Sequence, residues 1–160
     1  MDFGFGEYHS AGLSKNLFGC KEAVVFAATV GIGLDRLIAK YSAVSPAKAL
    51  MLQAIGAERI ESLCDAFCGD LGTDLGGLDK MLKRRFSPGY GDLPLDMQRD
   101  IFRVLDCSRK IGLTLNESML MSPSKSVTAI VGISSKACAE EGKKACDVCD
   151  KADCNFRRDQ

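Results

Sequence analysis

The chain has 160 residues, 21 basic against 21 acidic side chains for a formal net charge of zero, and an apolar share of 46%. These totals predict one ordinary globular domain and exclude an overall electrostatic draw toward nucleic acid or an anionic membrane. The longest apolar stretch, Ala23 to Leu34, is interrupted by glycines and too short to span a bilayer. Met1-Asp2-Phe3-Gly4 has no basic region ahead of an apolar core, so no secretory signal is read and a cytoplasmic location is expected.

Ala11 to Cys20 reads as a short helix with Leu13, Leu17 and Phe18 turned inward. Ala23 to Val30, rich in β-branched and aromatic residues and closed by Gly31, reads as a buried strand. Helical spacing returns over Asp35 to Tyr41, with Leu34, Leu37 and Ile38 on one side. The run Val30-Gly31-Ile32-Gly33-Leu34-Asp35-Arg36 stands where a dinucleotide loop would. Arg36 takes the place of the third glycine, and no acidic residue ends a second strand at the required distance, so the reading is a tight strand–helix turn.

Ser45-Pro46 marks a helix start, since Ser caps and Pro is tolerated at the first helical position. Apolar spacing from Leu50 to Phe67 carries that helix to about Asp70. Gly56 inside it costs about 1 kcal/mol against Ala and predicts a break or a close helix contact. Glu61 and Asp65 are one turn apart and share a face, an arrangement that is most often simply solvated. Gly69, Gly72, Gly76 and Gly77 mark a loop, and the basic segment Leu78 to Arg85 fits no single state.

Arg85-Phe86-Ser87-Pro88-Gly89-Tyr90-Gly91-Asp92 places a cation, a Pro-Gly turn and an aromatic within six residues. Pro88 presets φ for the second position of a type II turn, and Gly89 supplies the positive φ of the third. Arg grips a carboxylate in two-pronged fashion, and Tyr offers an apolar face with a polar tip. Composition alone favours a well-made surface turn over a site.

A helix follows from about Leu95 to Ile111, with Ile101, Phe102, Val104, Leu105 and Cys107 inward and Gly112 as its stop. Ser118 to Met121 and Val127 to Ile133 read as paired strands joined by Ser122-Pro123-Ser124-Lys125-Ser126. The fold class is α+β, helices packed on a modest, mostly antiparallel sheet. The domain reading is a core over residues 1–136 and a cysteine-rich tail over residues 137–160.

Four cysteines, Cys20, Cys64, Cys68 and Cys107, stand in apolar contexts and read as small core residues. The other four, Cys138, Cys146, Cys149 and Cys154, crowd into the tail. Thiolates two residues apart can reach one metal ion, and a set of four suits structural zinc or an iron–sulfur cluster. A tail that holds no metal is the third reading. His9 is the single histidine and lies near the N-terminus, which makes a Ser-His-Asp or Cys-His catalytic group improbable.

From Arg85 to Ile133 the sequence resembles the activation domain of cobalamin-dependent methionine synthase. The matching pieces, in order, are Arg85-x-x-Pro88-Gly89-Tyr90, the helix ending near Gly112, Leu115-x-Glu117-Ser118, Met121-x-Pro123 and Ser126-Val127. Weaker similarity runs back through Thr29-x-Gly31 and Leu17-x-Gly19-Cys20. The resemblance implies a domain that binds S-adenosylmethionine and presents its methyl group to a cobalamin carried by a partner. There, one-electron reduction of cob(II)alamin is drawn forward by methylation. By the same resemblance Arg85 holds the methionine carboxylate, Pro88, Gly89 and Tyr90 shape the wall near the adenosine and sulfonium, and Asp65 favours a cationic ligand. The implied partners are a corrinoid protein or methionine synthase modules, with a flavodoxin or ferredoxin as reductant.

The chain departs from the family in three places. Its larger members start well before this chain does, so part of the pocket is expected to be missing or supplied differently. Lys136-Ala137-Cys138 stands where methionine synthase has paired tyrosines at the ligand. No Asp-x-His-x-x-Gly cobalamin motif is present in the sequence. The alternative function is an iron–sulfur or zinc-binding adaptor in electron transfer, without a methyl-transfer role.

Overall fold

The computed structural model describes residues 2–76, 78 and 80–135. At its centre lies a three-stranded antiparallel sheet in the order β1 (Cys20–Thr29), β5 (Ser126–Ser135), β2 (Lys80–Leu82). Side chains alternate across β5, so Ile130 looks to one face while Ala129 and Val131 look to the other. Ile130 packs with Leu13, Phe86, Leu93, Met97 and Ile101. Ala129 and Val131 pack with Phe26, Ile60 and Cys64.

Both faces are therefore covered. Helices α1 (Ala11–Asn16) and α4 (Met97–Leu105) supply Leu13, Met97 and Ile101 to one side, and α3 (Pro46–Gly76) supplies Ile60 and Cys64 to the other. A strand buried on both faces reads as a continuous apolar run instead of an alternating one. Ala129 to Ile133 is such a run. Ile130 and Val131 are both fully buried, each contributing about 1.5–3 kcal/mol by removal from water.

Helix α2 (Ile32–Val44) turns at Ser45 into α3. Ser45 is the hinge of both: its N–H donates to the Tyr41 carbonyl at 2.8 Å, and its carbonyl accepts from Ala49 N–H at 3.1 Å. The expected close approach at Gly56 is present. A Cβ there would run into Leu34 Cδ2 of α2 and come within 3.0 Å of Lys125 Cγ. The strand–helix turn before α2 is also as expected. Gly31 has φ +93°, and Asp35 in the first turn accepts from Ser124 N–H at 2.7 Å and Ser124 Oγ–H at 2.5 Å.

Several expectations are corrected. The glycine-marked loop at Gly69–Gly76 is helical, and α3 runs on to Gly76. Its last turns lie against β2, where a Cβ on Gly72 would meet Leu82 Cδ1 at 3.9 Å. Tertiary packing offsets the helix cost of glycine there. The helix expected over Leu95–Ile111 is two, α4 and α5 (Cys107–Ile111), parted at Asp106, which is left-handed at φ 53° and ψ 48°. Leu113 N–H then returns to the Cys107 carbonyl at 3.2 Å.

Met121-Ser122 (β4) pairs with Thr114-Leu115 (β3), not with β5. Strand β5 has no free side, being flanked by β1 and β2. Phe18 is 77% exposed, outside the short α1, and Leu37 and Val104 are also exposed.

Candidate functional site

Arg85 follows the short edge strand β2. The next residue, Phe86, is tied to Ile130 by reciprocal backbone bonds of 2.9 and 2.8 Å, and its ring enters the core with Leu13 and Met97. Successive side chains in extended backbone point opposite ways. Arg85 accordingly turns to the other face, onto α3.

There its Nη2 donates to Asp65 Oδ1 at 2.8 Å and to Glu61 Oε2 at 2.9 Å. The guanidinium is mostly covered, whereas both carboxylates are exposed. Nη1 is buried with no oxygen or nitrogen partner. Burial works against the Arg85 charge, and Cys64, Asp65, Glu61 and Cys68 together outweigh it, so the group is held more firmly protonated than usual.

The thiols of Cys64 and Cys68 complete this cluster. Burial pushes both up, against the pull of Arg85, which keeps them protonated at neutral pH. Spacing alone puts Glu61 with Asp65 and Cys64 with Cys68, each pair one turn apart on α3. What those pairs face is fixed only by the fold.

The Pro88-Gly89 turn has the expected type II form. Gly89 has φ +84°, and Tyr90 N–H donates back to the Ser87 carbonyl at 3.1 Å. Tyr90 is 69% exposed, with its ring edge-on to Phe86 at 5.3 Å between centroids. Tyr90 thus belongs to the Phe86 side, away from the Arg85 guanidinium. Asp65 and Arg85 are brought together; Pro88, Gly89 and Tyr90 form a second group beyond Phe86.

Asp92 closes the same stretch in a way that sequence reading missed. Its carboxylate accepts from Ser10 Oγ–H at 2.5 Å, Ala11 N–H at 2.5 Å and Gly12 N–H at 3.1 Å. Ser10 in turn caps α1 by accepting from Leu13 N–H. The Ser10 hydroxyl is the main reason the Asp92 carboxyl sits below its usual range, with the Ala11 and Gly12 amides adding to it. Residues Arg85 to Asp92 therefore tie together α3, the sheet and α1.

Cys138, Cys146, Cys149 and Cys154 lie outside the described residues. Among the described residues no group of His, Cys, Asp and Glu is arranged to hold a metal ion, and no helix is long and apolar enough to cross a membrane.

The family model of the vitamin B12-dependent methionine synthase activation domain matches residues 15–140. The chain belongs to that family. The match takes in every element from β1 to β5 and the whole Arg85–Asp92 stretch. The α+β architecture with its antiparallel sheet agrees with membership, which associates the chain with cobalamin-dependent methionine synthase and its reactivation. A comparison with curated proteins gives no match.

The cluster on α3 sets one guanidinium beside two exposed carboxylates, so it can meet both charges of a zwitterionic ligand. Exposed ion pairs are worth about 0–1 kcal/mol, so the Arg85 pairs exchange at little cost. A ligand carboxylate can take Arg85 while the ligand's cationic groups take Glu61 or Asp65.

Proposed function

We propose that this protein binds S-adenosylmethionine and assists the reductive methylation of a corrinoid carried by a partner methionine synthase or methyltransferase. The observation that carries the reading is the Arg85–Asp65–Glu61 cluster at the head of the Arg-x-x-Pro-Gly-Tyr segment. In this reading Arg85 orients the methionine carboxylate, and Asp65 and Glu61 attract the ammonium and sulfonium charges. Pro88, Gly89 and the exposed Tyr90 supply a second, apolar surface beyond Phe86, separate from the Arg85 cluster. The corrinoid, once delivered by its partner, supplies the cobalt nucleophile that accepts the methyl group. Four thiolates at Cys138, Cys146, Cys149 and Cys154 serve as ligands to zinc or an iron–sulfur cluster.

The functional test is methyl transfer from labelled S-adenosylmethionine to a corrinoid protein, with a flavodoxin or ferredoxin as electron donor. The reading requires label on the corrinoid that depends on both this protein and the reductant. Equal labelling without this protein would overturn it.

A further inference from the structure

Strand β1 is an outer strand of its sheet, and its free edge has a definite chemistry. Ile130 exchanges both backbone bonds with Phe86, and Gly132 O accepts from Lys83 N–H, so even-numbered β5 residues point their backbone toward β2. Odd-numbered β5 residues therefore bond to β1. Ala129 and Val131 stand opposite Phe26 and Val24, which leaves Ala23, Val25 and Ala27 with N–H and C=O turned outward. None of these six groups has a hydrogen-bond partner among the described residues.

Proteins ordinarily guard such an edge with a short strand, charge, proline or a bulge. The opposite edge is guarded: β2 has three residues, Lys80-Met81-Leu82, followed by Lys83 and Arg84. On β1 the one irregularity and the two charges, Lys21 and Glu22, lie at its start, and Ala23 to Thr29 carries no charge, Pro or Gly. A cleft of about 490 Å³ lies at the near end of the edge, lined by Leu17, Lys21 and Ala23 together with Asp2 and Phe3 of the N-terminal segment.

We propose that a second copy of the chain docks on this edge, strand to strand across a two-fold axis through Val25, joining two three-stranded sheets into one. An edge paired antiparallel with itself presents the same donors and acceptors to its partner. With the axis at Val25, Val25 faces Val25 of the other copy and Ala23 faces Ala27. Val24 faces Phe26, Glu22 faces Ala28, and Lys21 faces Thr29. No like charges are opposed, and every central pair is small, β-branched or aromatic, the pairings that favour a sheet. Phe67 of α3 packs on Phe26 with the rings tilted and their centroids 4.7 Å apart, yet remains 40% exposed. It supplies apolar cover beside the new strand pair.

The test is sedimentation of the full chain under reducing conditions over a range of concentrations, alongside Ala23→Pro. That change removes an outward N–H from an exposed position and leaves the β1–β5 bonds intact, with circular dichroism as the check on folding. The native chain should dimerise and folded Ala23→Pro should be monomeric. Val25→Cys gives a second readout, because facing Cα atoms about 5.5 Å apart are within disulfide range. On oxidation it should form a cross-link through position 25, identified by peptide mapping and absent from the native chain. A native chain that stays monomeric, a dimer that survives Ala23→Pro, or no Val25→Cys cross-link would each overturn the proposal. So would a one-to-one complex with an added extended peptide in place of self-association.

Discussion

Arg85 Nη2 lies 2.8 Å from Asp65 Oδ1, across 20 residues of chain and between two different elements. The pair pins the segment after β2 to the middle of α3, and Glu61 doubles the contact from one turn earlier. The same guanidinium also acts on the Cys64 and Cys68 thiols, opposing the upward shift that burial gives them, so one residue couples the acidic surface to both thiols.

Because both carboxylates are exposed, the pair contributes little to stability. Asp65→Asn should change unfolding free energy by no more than about 1 kcal/mol while weakening the binding of a cationic ligand. Denaturant titration and calorimetry on the same variant check the two halves. A large loss of stability with unchanged affinity would assign Asp65 a purely structural role.

Gly89 combines a left-handed φ of +84° with close packing, since a Cβ there would stand 2.9 Å from Leu95 Cδ1. Gly89→Ala should destabilise by about 1–2 kcal/mol from the backbone conformation alone. If the turn serves the ligand by holding Tyr90, affinity should fall with stability. Thermal melts paired with binding measurements separate the effects.

Gly132 is a stricter case. A Cβ on it would meet Cys20 Sγ at 2.6 Å and Leu17 Cδ2 at 2.7 Å in the buried centre of β5. Overpacking of this kind costs about 1–3 kcal/mol, so Gly132→Ala should lower the denaturant midpoint. An unchanged midpoint would mean that Leu17 and Cys20 move aside freely.

Asp92 makes a pH prediction. Its carboxyl titrates lower in the folded chain than its ordinary 3.8, so the folded state favours the ionised form. The resulting stabilisation is complete above that ordinary value and disappears as pH falls through the lower folded value. The difference in melting temperature between the native chain and Asp92→Asn should therefore be constant near neutrality and shrink below about pH 4. A difference that grows on acidification would contradict the capping role.

The tail thiols make a prediction by composition. Protein prepared anaerobically should carry zinc or iron, and Cys146→Ser with Cys149→Ser should abolish it. Metal analysis that finds neither would remove the tail from the functional account.

Much of the frame was legible from local chemistry. Ser45-Pro46 marked the α2–α3 joint, Pro88-Gly89 the turn, and Gly56 the close approach of α2. The misreadings came from nonlocal packing. Glycines at 69, 72 and 76 looked like a loop because nothing nearby in sequence reveals that β2 lies against that end of α3. Asp106 breaks a helix without Gly or Pro to announce it. The pairing of β4 with β3 follows from β5 being flanked by β1 and β2, which no local pattern shows. At the site, periodicity placed Glu61 with Asp65, but only the fold turned both toward Arg85 and sent Tyr90 to the other side of Phe86.

The most direct measurement is calorimetric titration of S-adenosylmethionine into the native chain and into Arg85→Ala, each with and without a corrinoid partner. The native chain should bind. Arg85→Ala should bind about 10- to 150-fold more weakly, the equivalent of losing one charge-assisted hydrogen bond of about 1.5–3 kcal/mol. No binding by the native chain under either condition, or equal affinity in Arg85→Ala, would contradict the account.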